Sequence, residues 1–90
     1  MGQRIRNSYI ATVYTRRGLS KARLHDDRGA ISDFTKAIEI DPSDETAYYN
    51  RGITKLEYGR KNDSACMDLS KAAELGHERA YEAMKEFCTK

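Results

Sequence analysis

The residues of this chain that could carry out chemistry are two histidines and two cysteines, and their spacing builds no catalytic or metal site. His25 and His77 fall at predicted turns between helices, where no carboxylate or nucleophile stands at a fixed spacing from either, so both are predicted to be solvated. Cys66 and Cys88 form no C-x-x-C motif and have no histidine at the spacing of a zinc ligand. The sequence therefore predicts a protein without catalysis, without a metal and without a cofactor.

The two cysteines leave two interpretations open. The one we favour is a pair of free thiols, buried as small apolar side chains. The alternative is a disulfide that fastens the last helix, because antiparallel packing of the fourth and fifth predicted helices could bring Cys88 beside Cys66.

Composition describes a small, highly charged chain. The 90 residues allow one domain, and 39% hydrophobic against 33% charged residues suit thin seams between helices better than one thick core. No apolar run is long enough to span a membrane. The start of the chain lacks the apolar stretch of a signal peptide, which favours a cytoplasmic location.

The elements that must position these residues come from an internal repeat. Residues that recur at an offset of 34 are Thr12 and Thr46, Tyr14 and Tyr48, Arg17 and Arg51, Gly18 and Gly52, and Lys21 and Lys55. After an inserted residue near Lys61 and Asn62 the offset becomes 35, and it relates Ala30 to Ala65, Asp33 to Asp68, Lys36 to Lys71, Ala37 to Ala72 and Glu39 to Glu74. A period of this length indicates a solenoid of paired helices, which is usually a binding surface.

Hydrophobic spacing and turn signals predict five helices. They are expected at about residues 8–24, 27–40, 45–58, 63–75 and 78–88. Candidate N-terminal caps are Asn7 or Ser8, Asp26, Ser43 or Asp44, and Asn62 or Asp63. Asp41 and Pro42 end the second helix and Gly76 ends the fourth.

Gly18 and Gly52 lie inside the first helix of each repeat, where glycine costs about 1 kcal/mol relative to alanine. Because both stand at the same phase, we expect a neighbouring helix to approach closely there. The expected small partners are Ala30, Ala37, Ala65 and Ala72, and the large core residues are Tyr14, Phe34, Tyr48 and Leu69.

These residues resemble the tetratricopeptide repeat family. The matching positions are Tyr14, Gly18, Ala30, Phe34, Ala37 and Pro42 in the first unit, and Tyr48, Gly52, Ala65, Leu69 and Ala72 in the second. Departures are Arg17 and Arg51 at a usual leucine, Lys21 and Lys55 at a usual aromatic, and no proline in the second unit. The stretch from Ala65 to Tyr81 also resembles the last repeat and cap of bacterial members and of Sel1-like repeats.

The resemblance implies an all-α, right-handed solenoid of two helix pairs and a capping helix. Residues 1–10 would be an N-terminal extension that starts the first helix, residues 11–44 and 45–76 the two repeats, and residues 77–90 the cap. It also implies a non-catalytic protein-interaction module, because the first helix of each repeat lines a concave groove in this family.

By repeat phase, the groove that binds a peptide or partner segment would be lined by Thr12, Thr15, Arg16, Leu19, Arg23, Thr46, Tyr49, Asn50, Ile53 and Glu57. Asn50 stands at one phase of the clamp with which some members hold a peptide's terminal carboxylate. Thr15 and Leu19 occupy the phases where that clamp needs a lysine and a second asparagine. A carboxylate clamp is therefore not expected.

Charge is unevenly distributed along the chain. Residues 1–25 hold six basic residues and no acid, whereas residues 26–90 hold ten basic and fourteen acidic residues. A basic first helix suits an acidic protein or peptide, or it reflects only a missing neighbouring helix. Nucleic-acid binding is disfavoured, because the net charge is only +2 and no base-stacking motif is present.

A second hypothesis concerns self-association. Two repeats fall below the usual minimum of about three, and the flank of the first helix presents Ile5, Ile10 and Val13 without a predicted neighbour. The alternatives to a free peptide-binding module are therefore a homodimer and a fragment of a longer array of repeats.

Overall fold

The structure is a computed structural model that describes residues 2–59 and 63–88. Over those ranges the regular elements are all helices, namely α1 (Gly2–Arg23), α2 (Asp27–Ile40), α3 (Glu45–Gly59), α4 (Asp63–Glu74) and α5 (Glu78–Phe87). Each helix packs mainly on the next one in the chain, so the molecule is elongated, with extents of 44 × 28 × 16 Å. This is the sequential packing of the predicted helical solenoid. No described helix is both long and apolar enough to cross a bilayer.

Short polar side chains begin the inner helices, as the turn signals predict. Asp26 caps α2, where its carboxylate accepts the backbone N–H of Gly29 at 3.0 Å. Of the two candidates for α3, Asp44 is the cap, because its Oδ1 accepts the backbone N–H of Ala47 at 3.1 Å. Gly76 follows α4 with a φ of +105°, a conformation that favours glycine. The candidate cap Asn62 and the insertion beside it lie outside the described residues.

The prediction for the start of α1 was wrong. The helix begins at Gly2, so Asn7 and Ser8 lie inside it and do not cap it. Asparagine and serine favour helix starts, but neither breaks a helix when the residues before it also have adequate helix propensity. The backbone carbonyl of Ser8 instead accepts a hydrogen bond from the hydroxyl of Thr12, one turn later in the same helix, at 2.9 Å.

The two helical glycines allow the close approach that the repeat predicts. A Cβ added to Gly18 would lie 2.7 Å from Cε1 of Phe34, and one added to Gly52 would lie 2.9 Å from Cγ of Leu69. Phe34 and Leu69 are the largest fully buried side chains, and the expected small partners Ala30, Ala37, Ala65 and Ala72 are also fully buried. Tyr14 and Tyr48 are only half-buried.

A disulfide between Cys66 of α4 and Cys88 fastens the C-terminal helix. The favoured interpretation of two free thiols was therefore wrong, and the alternative is the one that the structure shows. Packing of Ala80 and Ala83 of α5 against Leu69 and Ala72 brings the two Cα atoms to 5.9 Å, within the range that a disulfide requires.

Candidate interaction surface

In each helix pair, an arginine and a lysine of the first helix hold one buried aspartate of the second. Asp33 accepts Nε and Nη2 of Arg17 at 2.8 Å each, and Nζ of Lys21 lies 3.3 Å from its Oδ2. The four cations that form these two clusters are the residues that depart from the tetratricopeptide pattern. At these positions, ion pairs therefore stand where the family pattern has apolar side chains. The bidentate arginine–aspartate pair is stronger and more directional than a single charge contact.

The second helix pair repeats the cluster with nearly the same geometry. Asp68 accepts Nε and Nη2 of Arg51 at 2.8 Å each, and Nζ of Lys55 lies at 3.0 Å. The recurrence of Arg, Lys and Asp at fixed phases was visible in the sequence. Their pairing was missed, because it joins residues 16 or 17 positions apart across two helices. We call these two groups the Asp33 cluster and the Asp68 cluster.

Ion pairing shifts the pKa of Asp33 in one cluster and of Arg51 in the other. Hydrogen bonds from Arg17, helped by Lys21, hold the pKa of Asp33 below its ordinary value although burial acts in the opposite direction. The hydrogen bonds to Asp68 raise the pKa of Arg51. Asp33 and Arg51 therefore stay ionised near neutral pH, which suits ion pairs that hold helices together and not proton transfer.

Two predicted groove residues lie at the junctions between successive helix pairs. Thr15 is only 4% exposed, and its hydroxyl donates to Oδ2 of Asp44, the cap of α3, at 3.1 Å. At the same repeat phase, Tyr49 stacks on His77 with ring centroids 4.3 Å apart. Nδ1 of His77 in turn accepts the backbone N–H of Ala80 at 3.2 Å and caps α5. Each junction therefore ties one first helix to the start of the next.

His77 does more than the sequence suggested. It was predicted to be a solvated turn residue, but it is half-buried and serves as a helix cap and a stacking partner. No cap rule points to it, because the favoured cap residues are Ser, Thr, Asp and Asn. His25 is exposed in the turn after α1, as predicted, and has a positive φ of 65°.

The other predicted groove residues reach the surface. Thr12, Arg16 and Arg23 of α1 and Thr46 and Glu57 of α3 are exposed, while Leu19 of α1 and Asn50 and Ile53 of α3 are half-buried. The amide of Asn50 donates to the carbonyl of Thr46 within α3 at 2.9 Å. Within residues 2–59 and 63–88, neither Arg16 nor Arg23 forms an ion pair. We call this set the first-helix row.

A small apolar cavity adjoins the first-helix row. It has a volume of about 250 Å³ and lies between α3 and α5, where it is lined by Ile53, Leu56, Glu57 and Phe87. A larger depression of about 950 Å³ lies between the start of α1, the α2–α3 turn and the end of α4, and no histidine or cysteine lines it. Among the described residues, no three His, Cys, Asp or Glu side chains are grouped so that they could hold a metal ion.

Comparison with known proteins identifies two similar curated sequences, although no family model matches the chain. The chain is 41% identical to a Tetratricopeptide repeat protein 36 homolog of Nematostella vectensis over 68 residues, which are 76% of this chain and 37% of that protein. It is 36% identical to a Protein STIP1 homolog of Dictyostelium discoideum over 69 residues, 77% of this chain and 12% of that protein. The chain thus spans less than half the length of either relative. Both relatives are eukaryotic, so the expected bacterial affiliation is not supported.

Proposed function

We propose that this chain, which belongs to the tetratricopeptide repeat family, is a non-catalytic module that binds a peptide or partner segment along its first-helix row. The observation that carries the proposal is the pair of exposed arginines, Arg16 and Arg23, which form no ion pair within the described ranges and lie beside the half-buried Leu19 and Ile53. Guanidinium groups recognise carboxylates with two parallel hydrogen bonds, and apolar neighbours add area that a partner can bury.

The division of labour among helix faces supports this proposal. Gly18 and Gly52 lie in the contact between the two helices of each pair, and the Asp33 and Asp68 clusters join the same helices by ion pairs. Thr15 and Tyr49 join successive helix pairs, Thr15 by its hydrogen bond to Asp44 and Tyr49 by stacking on His77. What remains on α1 and α3 is a surface of donors and apolar side chains, which suits an extended peptide or a helix.

The absence of catalysis in the proposal has its own support. Of the titratable groups in the described part of the chain, Arg17, Asp33 and Arg51 have clearly shifted pKa values, and all three are engaged in ion pairs. A group held in its charged form by a fixed partner is poorly suited to exchange protons with a substrate.

A selection experiment tests the proposed surface. The folded chain is immobilised and challenged with a library of random linear peptides, and the affinity of enriched peptides is measured by fluorescence anisotropy. We expect the combined Arg16→Glu and Asn50→Ala variant to lose most of the binding, because it reverses one charge and removes one donor. Lys36→Glu, a charge reversal at another exposed residue, on α2, is the matched control and should bind normally. Equal affinity of both variants would refute the proposed surface.

Self-association is the second candidate function, and a specific observation favours it. Val13 of α1 is 50% exposed, whereas Ala47 at the same phase of α3 is fully buried in a cluster with Ala37. Ile5 and Tyr9 of α1 are also largely exposed. In α3 this flank packs against the preceding helix pair, whereas in α1 the same flank is exposed to solvent. A second copy of the chain could cover it.

Light scattering on the purified chain tests this second candidate. If self-association is the function, the wild-type chain is a dimer at micromolar concentration and Val13→Glu converts it into a monomer, because a buried unpaired charge is costly. Ser20→Glu, a control on an exposed polar residue of α1, would leave the dimer intact. A stable wild-type monomer would contradict self-association.

A further inference from the structure

We infer that the cavity between α3 and α5 receives one apolar side chain of a partner segment whose flanks are oppositely charged, acidic toward α1 and basic beside Glu57. The inference rests on the proposed function, and it specifies the chemistry of the segment that the first-helix row binds. It is carried by the shape of the cavity and by the reversal of charge along the row.

The size and lining of the cavity suit a single side chain. Its volume of about 250 Å³ lies below the roughly 300–1,000 Å³ of sites for whole small molecules. Ile53 and Leu56 form the wall on α3, and Phe87, which is 43% exposed, forms the wall on α5. A branched or aromatic side chain placed there removes its own apolar surface and that of Phe87 from water.

The rim of the cavity carries a carboxylate. Glu57 lines the cavity and is exposed. It forms no ion pair with another described residue. A basic residue next to the inserted side chain would therefore meet the Glu57 carboxylate, which no described residue engages in an ion pair.

Charge reverses between the two helices of the row. Arg23 of α1 stands at the same repeat phase as Glu57 of α3, and Arg16 of α1 stands at the phase of the neutral Asn50. The α1 end of the row is thus basic and the cavity end is acidic. Opposite charges at the two ends of one surface select a partner with the complementary order and fix its orientation.

Three labelled synthetic peptides test the inference by fluorescence anisotropy on the full chain. The first carries a run of glutamates, one leucine and a run of lysines. The second differs only by serine in place of leucine, and the third carries glutamates on both sides of the leucine. We expect the first peptide to bind at least about tenfold more tightly than the second, because the second lacks the leucine side chain that would fill the cavity. Added salt should lower the affinity of the chain for the first peptide, because it screens the charges on both partners.

Variants of the chain locate the effect. Glu57→Lys should lower the affinity for the first peptide and raise the affinity for the third. Glu39→Lys, a charge reversal at an exposed residue of α2, should change neither affinity. Phe87→Ala should reduce the difference between the first and second peptides, with circular dichroism confirming that the variant is folded. Equal binding of the leucine and serine peptides, or no response to Glu57→Lys, overturns the inference.

The outcomes separate this inference from the proposed function. If library-selected peptides bind through Arg16 and Asn50 but Glu57→Lys and Phe87→Ala have no effect, the inference fails and the proposed function stands. If neither selected nor designed peptides bind, both fail.

Discussion

The Asp33 and Asp68 clusters have nearly the same distances, yet they lie in different surroundings. The side chain of Arg17 is 58% exposed, whereas that of Arg51 is 18% exposed. Arg51 also donates through Nη1 to Oγ1 of Thr35, at 3.1 Å, and so reaches back to the preceding helix pair. Among the described residues, no helix covers Arg17 in the same way. The neighbouring pair, and not the geometry of the ion pair itself, therefore determines how well each arginine is shielded from water.

The two ends of the solenoid differ as well. At the C-terminal end, α5 covers α4 and the Cys66–Cys88 disulfide holds it there. At the other end, the flank of α1 presents Val13 and Tyr9 to solvent. One end is closed by a covalent link and the other is open, so the two helix pairs should respond differently to perturbation.

Removal of the disulfide should give the largest effect and should act on the C-terminal end. The bond closes a loop with a sequence separation of 22, for which chain entropy gives about 3 kcal/mol. We expect the combined Cys66→Ser and Cys88→Ser variant to unfold at lower denaturant. Hydrogen exchange should accelerate first in α5, while α1 and α2 change little. Uniform acceleration along the chain would contradict a cap held locally by the disulfide.

Disruption of the ion pairs should give the next largest effect and should separate the two clusters. Asp68→Asn is expected to destabilise the chain by about 2 kcal/mol, because it leaves the shielded Arg51 without its charged partner. Asp33→Asn should cost clearly less, because water can solvate Arg17. Denaturant unfolding of the single and double variants gives the coupling energy of each Arg–Asp pair. Equal coupling in the two clusters would show that the neighbouring pair does not matter.

The helical glycines should give a smaller contrast. Alanine gains about 1 kcal/mol in helix propensity, while overpacking a core costs about 1–3 kcal/mol. At Gly52 the new Cβ would lie 3.0 Å from the backbone oxygen of Ala65, which cannot rotate away. At Gly18 the nearest atoms all belong to the ring of Phe34. We therefore expect Gly52→Ala to lower the free energy of unfolding by about 1 kcal/mol and Gly18→Ala to lower it less. Thermal unfolding of both variants checks the order.

Acid should give the smallest effect in this series. Since the pKa of Asp33 is lowered in the folded chain, its contribution is present above the unfolded carboxyl pKa of about 3.9 and is lost as pH falls through the folded value. We expect the wild type to lose stability below about pH 4 more steeply than Asp33→Asn. Thermal unfolding across that pH range compares them, and parallel curves would mean that the ion pair contributes nothing.

Much of the fold could be predicted from periodicity, because the packing of a repeat protein is local. Recurrence of Gly18 and Gly52 at one phase predicted two close helix contacts, and Phe34 and Leu69 fill them. The Cys66–Cys88 bond could only be offered as an alternative, because bond formation depends on the distance between two helices and not on sequence spacing.

The candidate site was harder to predict than the fold. Phase alone assigned Thr15 to the groove, but its depth depends on how α3 begins, and the hydroxyl is taken up by Asp44. The cavity beside Phe87 is lined by residues of both α3 and α5, and the relative placement of two helices is not encoded by a local pattern. The exposed arginines Arg16 and Arg23 were identified from phase, because surface positions on a single helix follow directly from its period.

The claim that the first-helix row binds a protein partner is tested most directly by nuclear magnetic resonance. Backbone amide signals of the isotope-labelled chain are followed while a library-selected peptide is added. We expect shift changes concentrated at Arg16, Leu19, Asn50 and Ile53, with the amides of Lys36 on α2 and Lys71 on α4 unchanged. Shift changes concentrated on α2 and α4 would contradict it.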